Sequence, residues 1–278
     1  MASAIGTETG VTIAAPSSER QTASPGLRGL RAVLLPSGLA VLVLAAWQAF
    51  VQIGHVPSVI LPSPVSTLGF IAEHWDLLLT HAIPTTLESA LGFLLASILG
   101  VLLAILITYS TLAREALYPN LVFFQLIPKI ALAPLFIIWL GIGIQSRVAF
   151  SVFIAFFPVV ISTAAGFMSV DRSMLRLCRS LTATEAQIFL HVRFPTALPY
   201  IFSGMKVAVT LAIIGVIIGE FITAQAGLGY LIIFATARAD TEVSMAAIVV
   251  LCVAGLLLYG LVALGELVAR RFYGSDPA

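Results

Sequence analysis

Charge is what this sequence has least of. Only 10% of its 278 residues are Asp, Glu, Lys or Arg, while 60% are hydrophobic and the mean hydropathy is +1.08. Soluble domains carry about 25% charged residues, so a soluble globule is excluded. The two cysteines, Cys178 and Cys252, fall in a polar stretch and in an apolar run, which excludes a disulfide framework. No Gly-x-x-x-x-Gly-Lys-Ser/Thr loop occurs, so the chain does not bind ATP by that device. His and Cys never cluster at metal-ligand spacing, and the candidates for a Ser-His-Asp triad lie on different sides of a membrane. Neither a catalytic residue nor a metal site is expected. No period of 20–50 residues repeats, which excludes a solenoid. The net charge of +1 argues neither for nor against nucleic acid, and none is expected as a partner.

What is abundant is apolar sequence. A run of about 20 apolar residues crosses a bilayer, and six such runs are expected, at about 32–53, 85–108, 117–140, 147–167, 200–221 and 244–268. The expected fold is an all-α membrane protein of six transmembrane helices. Residues 1–30 are rich in Ser, Thr, Ala, Gly and Pro and lack a basic start followed by an apolar core. They are expected to form a disordered cytoplasmic tail rather than a signal peptide. The division is then 1–30 tail, 31–59 first helix and start of an outer loop, 60–268 a core with five helices, and 269–278 a cytoplasmic tail.

Lys and Arg placement sets the orientation. Arg20, Arg28 and Arg31 precede the first run, and Arg172, Arg176, Arg179 and Arg193 lie between the fourth and fifth. Arg270 and Arg271 follow the sixth, whereas residues 54–84 hold no Lys or Arg. Both termini and the 168–199 loop are therefore expected in the cytoplasm, and 54–84 outside. Ile60-Leu-Pro-Ser-Pro64 reads as rigid and extended, and Val65 to Leu79 as helical with Trp75 at an interface. Ala224 to Phe234 is too short to cross, and a re-entrant segment is tolerated only beside protein or water. Gly92, Ala96 and Gly100, four residues apart, would let another helix approach closely.

The most informative segment is a polar island, Asp171 to Pro199, with four arginines between two apolar runs. Met174, Leu177, Cys178 and Leu181 fall at i, i+3, i+4 and i+7, one apolar stripe on a short helix. Thr184 and Gln187 have capping-box spacing for a second helix bearing Ile188, Phe189 and Val192. Pro195 is expected to stop it. A structured polar loop of this kind on the cytoplasmic face points to docking. His191 within it reads as a surface residue.

Lys129 lies about 12 residues from either end of the third run, about 18 Å at 1.5 Å per residue. Its stem is too short to snorkel that far, so its charge should face a cavity or a partner. It either lines a pathway and favours an anion, or is held by carbonyls that Pro128 frees. Gln125 and Glu220 are grouped with it as pathway candidates, although Glu220 is better placed to hold the Gly-rich segment after the fifth run. Glu88 is expected at an outer membrane boundary, where its cost is small.

Arg179-Ser-Leu-Thr-Ala-Thr-Glu-Ala-Gln-Ile-Phe-Leu-His-Val-Arg-Phe-Pro-Thr-Ala-Leu-Pro199 resembles the cytoplasmic "EAA" loop of ABC-importer permease subunits. On that pattern Glu-Ala-Ala falls on Arg176, Leu177 and Cys178, the glycine on Thr182, and the close on Val192 and Phe194-Pro195. Pro128 to Gly143, Glu220 followed by Gly227-Leu-Gly229, and Leu61-Pro-Ser-Pro64 are similar to the nitrate, sulfonate and taurine branch. The resemblance covers about residues 60–268. It implies a loop that inserts a coupling helix into a groove of an ATP-hydrolysing subunit. ATP and Mg would then sit on that partner, with no cofactor in this chain. It further implies a second permease copy in a homodimer, an extracytoplasmic binding protein, and residence in a prokaryotic cell membrane. The threonine at the family's glycine position disfavours a left-handed turn, so an altered turn is expected there. A self-sufficient carrier or channel is the alternative from another class, and an intramembrane enzyme lacks converging acids and bases.

Overall fold

The computed structural model describes residues 25–223 and 225–273, with side chains from residue 34. Most of the expected N-terminal tail and the last five residues lie outside the described residues. All regular elements described are helices: α1 (Pro25–Ile53), α2 (Pro64–Glu73), α3 (Trp75–Tyr109), α4 (Thr111–Gln125), α5 (Ala133–Leu140), α6 (Ile144–Met168), α7 (Arg172–Ser180), α8 (Glu185–Ile188), α9 (Phe194–Thr223), α10 (Leu228–Ala237) and α11 (Thr241–Tyr273). A 3₁₀ turn at Lys129–Leu132 precedes α5, and a π turn at Phe189–Arg193 joins α8 to α9. The chain divides into two units, Met1–Ala49 and Phe50–Ala278. The first holds most of α1, a helix long and apolar enough to cross a membrane.

Five helices have the length and composition to cross, and a sixth crossing is counted if α4 and the 3₁₀–α5 segment form one span. The third apolar run is not the continuous helix expected. Its two halves meet at 93°. Pro128 lacks an N–H and restricts the residue before it, so the α4 ladder ends at Gln125. The depth of Lys129 measured along a straight helix therefore does not hold.

In the second unit, α3, α6 and α9 form the centre. Small residues bring them together. A Cβ on Gly92 would sit 2.3 Å from Ser151 Oγ, and one on Gly100 2.8 Å from Val159 Cβ, so the Gly92–Ala96–Gly100 stripe is where α6 packs. Ala96, Ala155, Val159, Ala208 and Ala212 make one buried cluster across these helices. Ser151 Oγ donates to the Ala212 carbonyl at 2.9 Å, tying α6 to α9. A second cluster of Leu78, Ala82, Leu228, Leu231, Ala246, Ala247 and Val250 places the short α10 against α3 and α11.

The polar island is two short helices and a turn, as its pattern predicts, but Pro195 does not end it. The chain continues through the π turn into α9, which carries Pro195 in its first turn and Pro199 inside. A proline ring in an α-helix strikes the carbonyl four residues back, here that of His191. The wider π turn contains His191 and eases that contact.

Candidate coupling loop and membrane-embedded polar groups

α7 begins at Asp171, whose side chain accepts from Ser173 N at 2.9 Å. Its C-terminus is closed by two bonds, from Thr182 N to Arg179 O and from Ala183 N to Cys178 O, both 3.1 Å. This is a Schellman closure, with Thr182 in the left-handed position usually held by glycine. Thr182 has φ +58°. The expected altered turn is therefore not found: the threonine takes the conformation it disfavours. α8 begins at Thr184, whose hydroxyl accepts from Gln187 N at 3.3 Å while Gln187 Oε1 accepts from Thr184 N at 2.8 Å. Arg179 and Glu185 pair across the turn at 3.0 Å, an exposed bridge of small value. Arg176 Nη2 donates to Ser173 Oγ at 3.2 Å.

The apolar residues of this loop divide into two sets, which the sequence had treated alike. Met174, Leu177 and Leu181 are exposed, Leu181 at 70%. Ile188 is buried, and Phe189 stacks at an angle on Phe167, Phe194 and Tyr109. Arg193 crosses the same aromatic group. It donates to the Phe167 carbonyl at 3.3 Å and lies 5.5 Å from the Tyr109 ring. The inner set fastens the loop to the ends of α3, α6 and α9, and the outer set is left bare. Between α7 and α8 lies a cleft of about 400 Å³, lined by Cys178, Leu181, Thr182, Gln187, Ile188 and Val192 among others.

Gln125 and Lys129 meet at the broken span. Lys129 Nζ donates to the Gln125 carbonyl at 3.1 Å and sits 5.1 Å from the Phe157 ring centroid. The cation thus covers a carbonyl at the C-terminus of α4, where the helix dipole favours positive charge. Glu220 is not with them. It is 2% exposed, with Oε1 accepting from Thr85 Oγ1 and Oε2 from Gly229 N, both at 2.7 Å. Thr85 Oγ1 in turn accepts from Leu228 N at 2.8 Å, and His81 Nδ1 accepts from Gly227 N at 3.1 Å. Three side chains from α3 and α9 thus satisfy the first N–H groups of α10, which no intrahelical partner can reach.

Two charge groups were missed from the sequence. Glu88, expected at an outer boundary, is buried between helices. It pairs with Arg147 in a two-pronged bridge of 2.6 and 2.7 Å, with side chains 6% and 11% exposed. Gly219 makes room for it, since a Cβ there would lie 2.8 Å from Arg147 Cγ. The second is Lys206, bonded to Glu266 at 2.5 Å, which also holds Arg270 at 2.5 Å. Opposite charges inside separate apolar runs were the available signal.

The described residues thus form a multi-helix bundle with one broken span, a short pinned helix and a capped polar loop that runs straight into a span. The chain belongs to the family described as binding-protein-dependent transport system inner membrane component, whose model matches residues 96–272. It is 34% identical to the riboflavin transport system permease protein RibX of Chloroflexus aurantiacus, over 91% of this chain and 96% of that one. It is 31% identical to the putative aliphatic sulfonates transport permease protein SsuC of Bacillus subtilis, over 85% of each. Its fold matches the solved MetNI methionine ABC transporter in an inward-facing conformation, with TM-score 0.61 and 17% identity, over 71% of this chain and 98% of that one. The protein is a multi-pass inner-membrane permease component of an ABC importer.

Proposed function

We propose that this permease works with separate ATP-hydrolysing subunits, which bind ATP and Mg, and that the α7–α8 loop receives their motion. A second copy of the chain completes the pathway, and an extracytoplasmic binding protein delivers the cargo. The distribution of Arg supports placing both termini and the loop in the cytoplasm. The observation that carries the reading is the bare apolar edge of α7, Met174, Leu177 and Leu181, held rigidly by caps at both ends. An apolar stripe on a helix is an anchor for a groove. Arg176, Cys178, Thr182, Thr184, Ile188, Val192 and Pro195 shape and support that edge.

The cargo is a small anion such as nitrate, taurine or another sulfonate. Lys129 supports this, because no carboxylate pairs with it among the described residues. The sulfonate named for the SsuC relative supports it too. The name of the RibX relative supports a second reading, an uncharged aromatic heterocycle.

The test is copurification of the tagged permease with its ATPase subunit, followed by ATP-driven uptake in vesicles. Leu177→Asp and Leu181→Asp should abolish both while the permease remains inserted. Phe189→Asp should instead lower permease stability, because its ring is held inside the aromatic group. Intact complexes with normal uptake in the two leucine variants would refute the docking role. Full uptake by permease alone would show a self-sufficient carrier.

A further inference from the structure

The chain contains just two lysines, Lys129 and Lys206, and both lie in apolar runs, while every other side-chain cation except histidine is an arginine. Lys206 lies six residues, about 9 Å, inside the expected fifth run. Lys206, Ser203, Val207, Thr210, Leu211 and Tyr259 line an open cleft of about 480 Å³ between α9 and α11. Its ammonium lies 6.0 Å from the Tyr259 ring, and its side chain is 28% exposed.

Glu266 bonds both Lys206 and Arg270, so the group carries one positive charge in excess. Lys206 is the member that lines the cleft. Ser203 and Thr210, one turn to either side of it on α9, add hydroxyl groups to the same wall. The cleft also adjoins the broken span. Leu211 lines it and at the same time packs, with Leu132, against the cluster of Ala133, Phe150 and Ile154.

We propose that this cleft is an oxyanion subsite, in which Lys206 binds a sulfonate-like or phosphate-like group in place of Glu266. Glu266 holds the ammonium when the site is empty. This rests on the anionic reading of the cargo, and the same chemistry would suit the phosphate of an anionic lipid. Cargo is the source we assign, because Leu211 joins the wall of the cleft to the apolar cluster that holds Ala133 of the broken span.

The experiment uses the complete importer in phosphatidylcholine vesicles, with taurine and riboflavin as separate probes. Lys206→Gln should lower taurine uptake at least tenfold, and Lys206→Arg should recover part of it. Because the first variant lowers the net charge of the group to zero, Lys206→Gln with Glu266→Gln keeps it at one positive charge and should show the same loss. Glu266→Gln alone removes the competitor and should lower the apparent KM for taurine, which a purely structural ion pair would not do. Wild-type taurine uptake in the double variant, or an unchanged or higher KM in Glu266→Gln, overturns the subsite. An importer that carries riboflavin and no taurine overturns the anionic reading and the subsite with it. A parallel preparation with added phosphatidylglycerol, read by mass spectrometry of the intact complex, separates the lipid source. Phosphatidylglycerol lost on Lys206→Gln, with taurine uptake unchanged, would assign the cleft to lipid and overturn the cargo role.

Discussion

Replacing Thr182 with glycine should tighten the loop rather than merely be tolerated. Thr182 closes α7 at φ +58° while donating to the Arg179 carbonyl, with Ala183 donating to Cys178. A residue with a Cβ pays about 1–2 kcal/mol in the left-handed region, and β-branching makes the position worse. Glycine removes that cost but gives back roughly 0.5–1 kcal/mol through its greater freedom in the opened chain. The expected net gain is about 0.5–1 kcal/mol, a factor of about 2–5 in the opening equilibrium of the turn at 1.4 kcal/mol per tenfold. Amide hydrogen exchange of the peptide spanning 177–188, read by mass spectrometry on the purified permease, should slow by that factor in Thr182→Gly. Thr182→Asn should fall between, since Asn enters this region more readily. Thr182→Pro should do the opposite, because it removes the bonded N–H and fixes φ near −65°. ATP-driven uptake should be kept in the glycine variant. Faster exchange in Thr182→Gly, or severe loss of uptake with the turn intact, would refute the reasoning and give the threonine a role of its own.

Other substitutions probe the embedded groups. Glu88→Met or Arg147→Met alone should cost about 3–5 kcal/mol by stranding a buried charge, while the double replacement should recover much of it; unfolding in detergent measures this, and equal single and double losses would refute it. Gly227→Ala should displace α10, since φ is +114° and the new Cβ would lie 2.2 Å from Glu220 Oε1. Loss of exchange protection confined to residues near 227–231 is the expected readout, and unchanged protection would remove Glu220 as the group that pins that helix. Lys129→Met should insert and lower uptake of an anionic cargo, and Lys129→Arg should keep part of it because charge survives while geometry changes. Wild-type uptake in the methionine variant would leave Lys129 only its place at the end of α4, and outright misfolding would show that the ammonium holds the broken span together.

Local chemistry was readable because it is local. The capping box at Thr184 and Gln187 and the small-residue stripe at Gly92, Ala96 and Gly100 are contained in spacings of three and four residues, and both appear in the fold. Length and hydropathy likewise give the crossings one by one, since each helix satisfies its own backbone hydrogen bonds in an apolar medium. Pro128 was visible too, but whether a proline kinks a helix or breaks it depends on what surrounds the freed carbonyls. Here Lys129 returns to the Gln125 carbonyl and the span turns by 93°. At Pro195 the same residue type leaves the helix running, because a π turn widens the backbone before it.

Tertiary structure alone decided which distant groups became partners. Glu88 and Arg147 are 59 residues apart, and Thr85 and Glu220 are 135 apart. No spacing rule joins such pairs, because their proximity follows from how α3, α6 and α9 close on one another through glycine and alanine. It also divided the loop's apolar residues, sending Phe189 inward to the aromatic group and leaving Leu177 and Leu181 bare. Periodicity assigns residues to a face of one helix, but only packing determines whether another part of the chain covers that face.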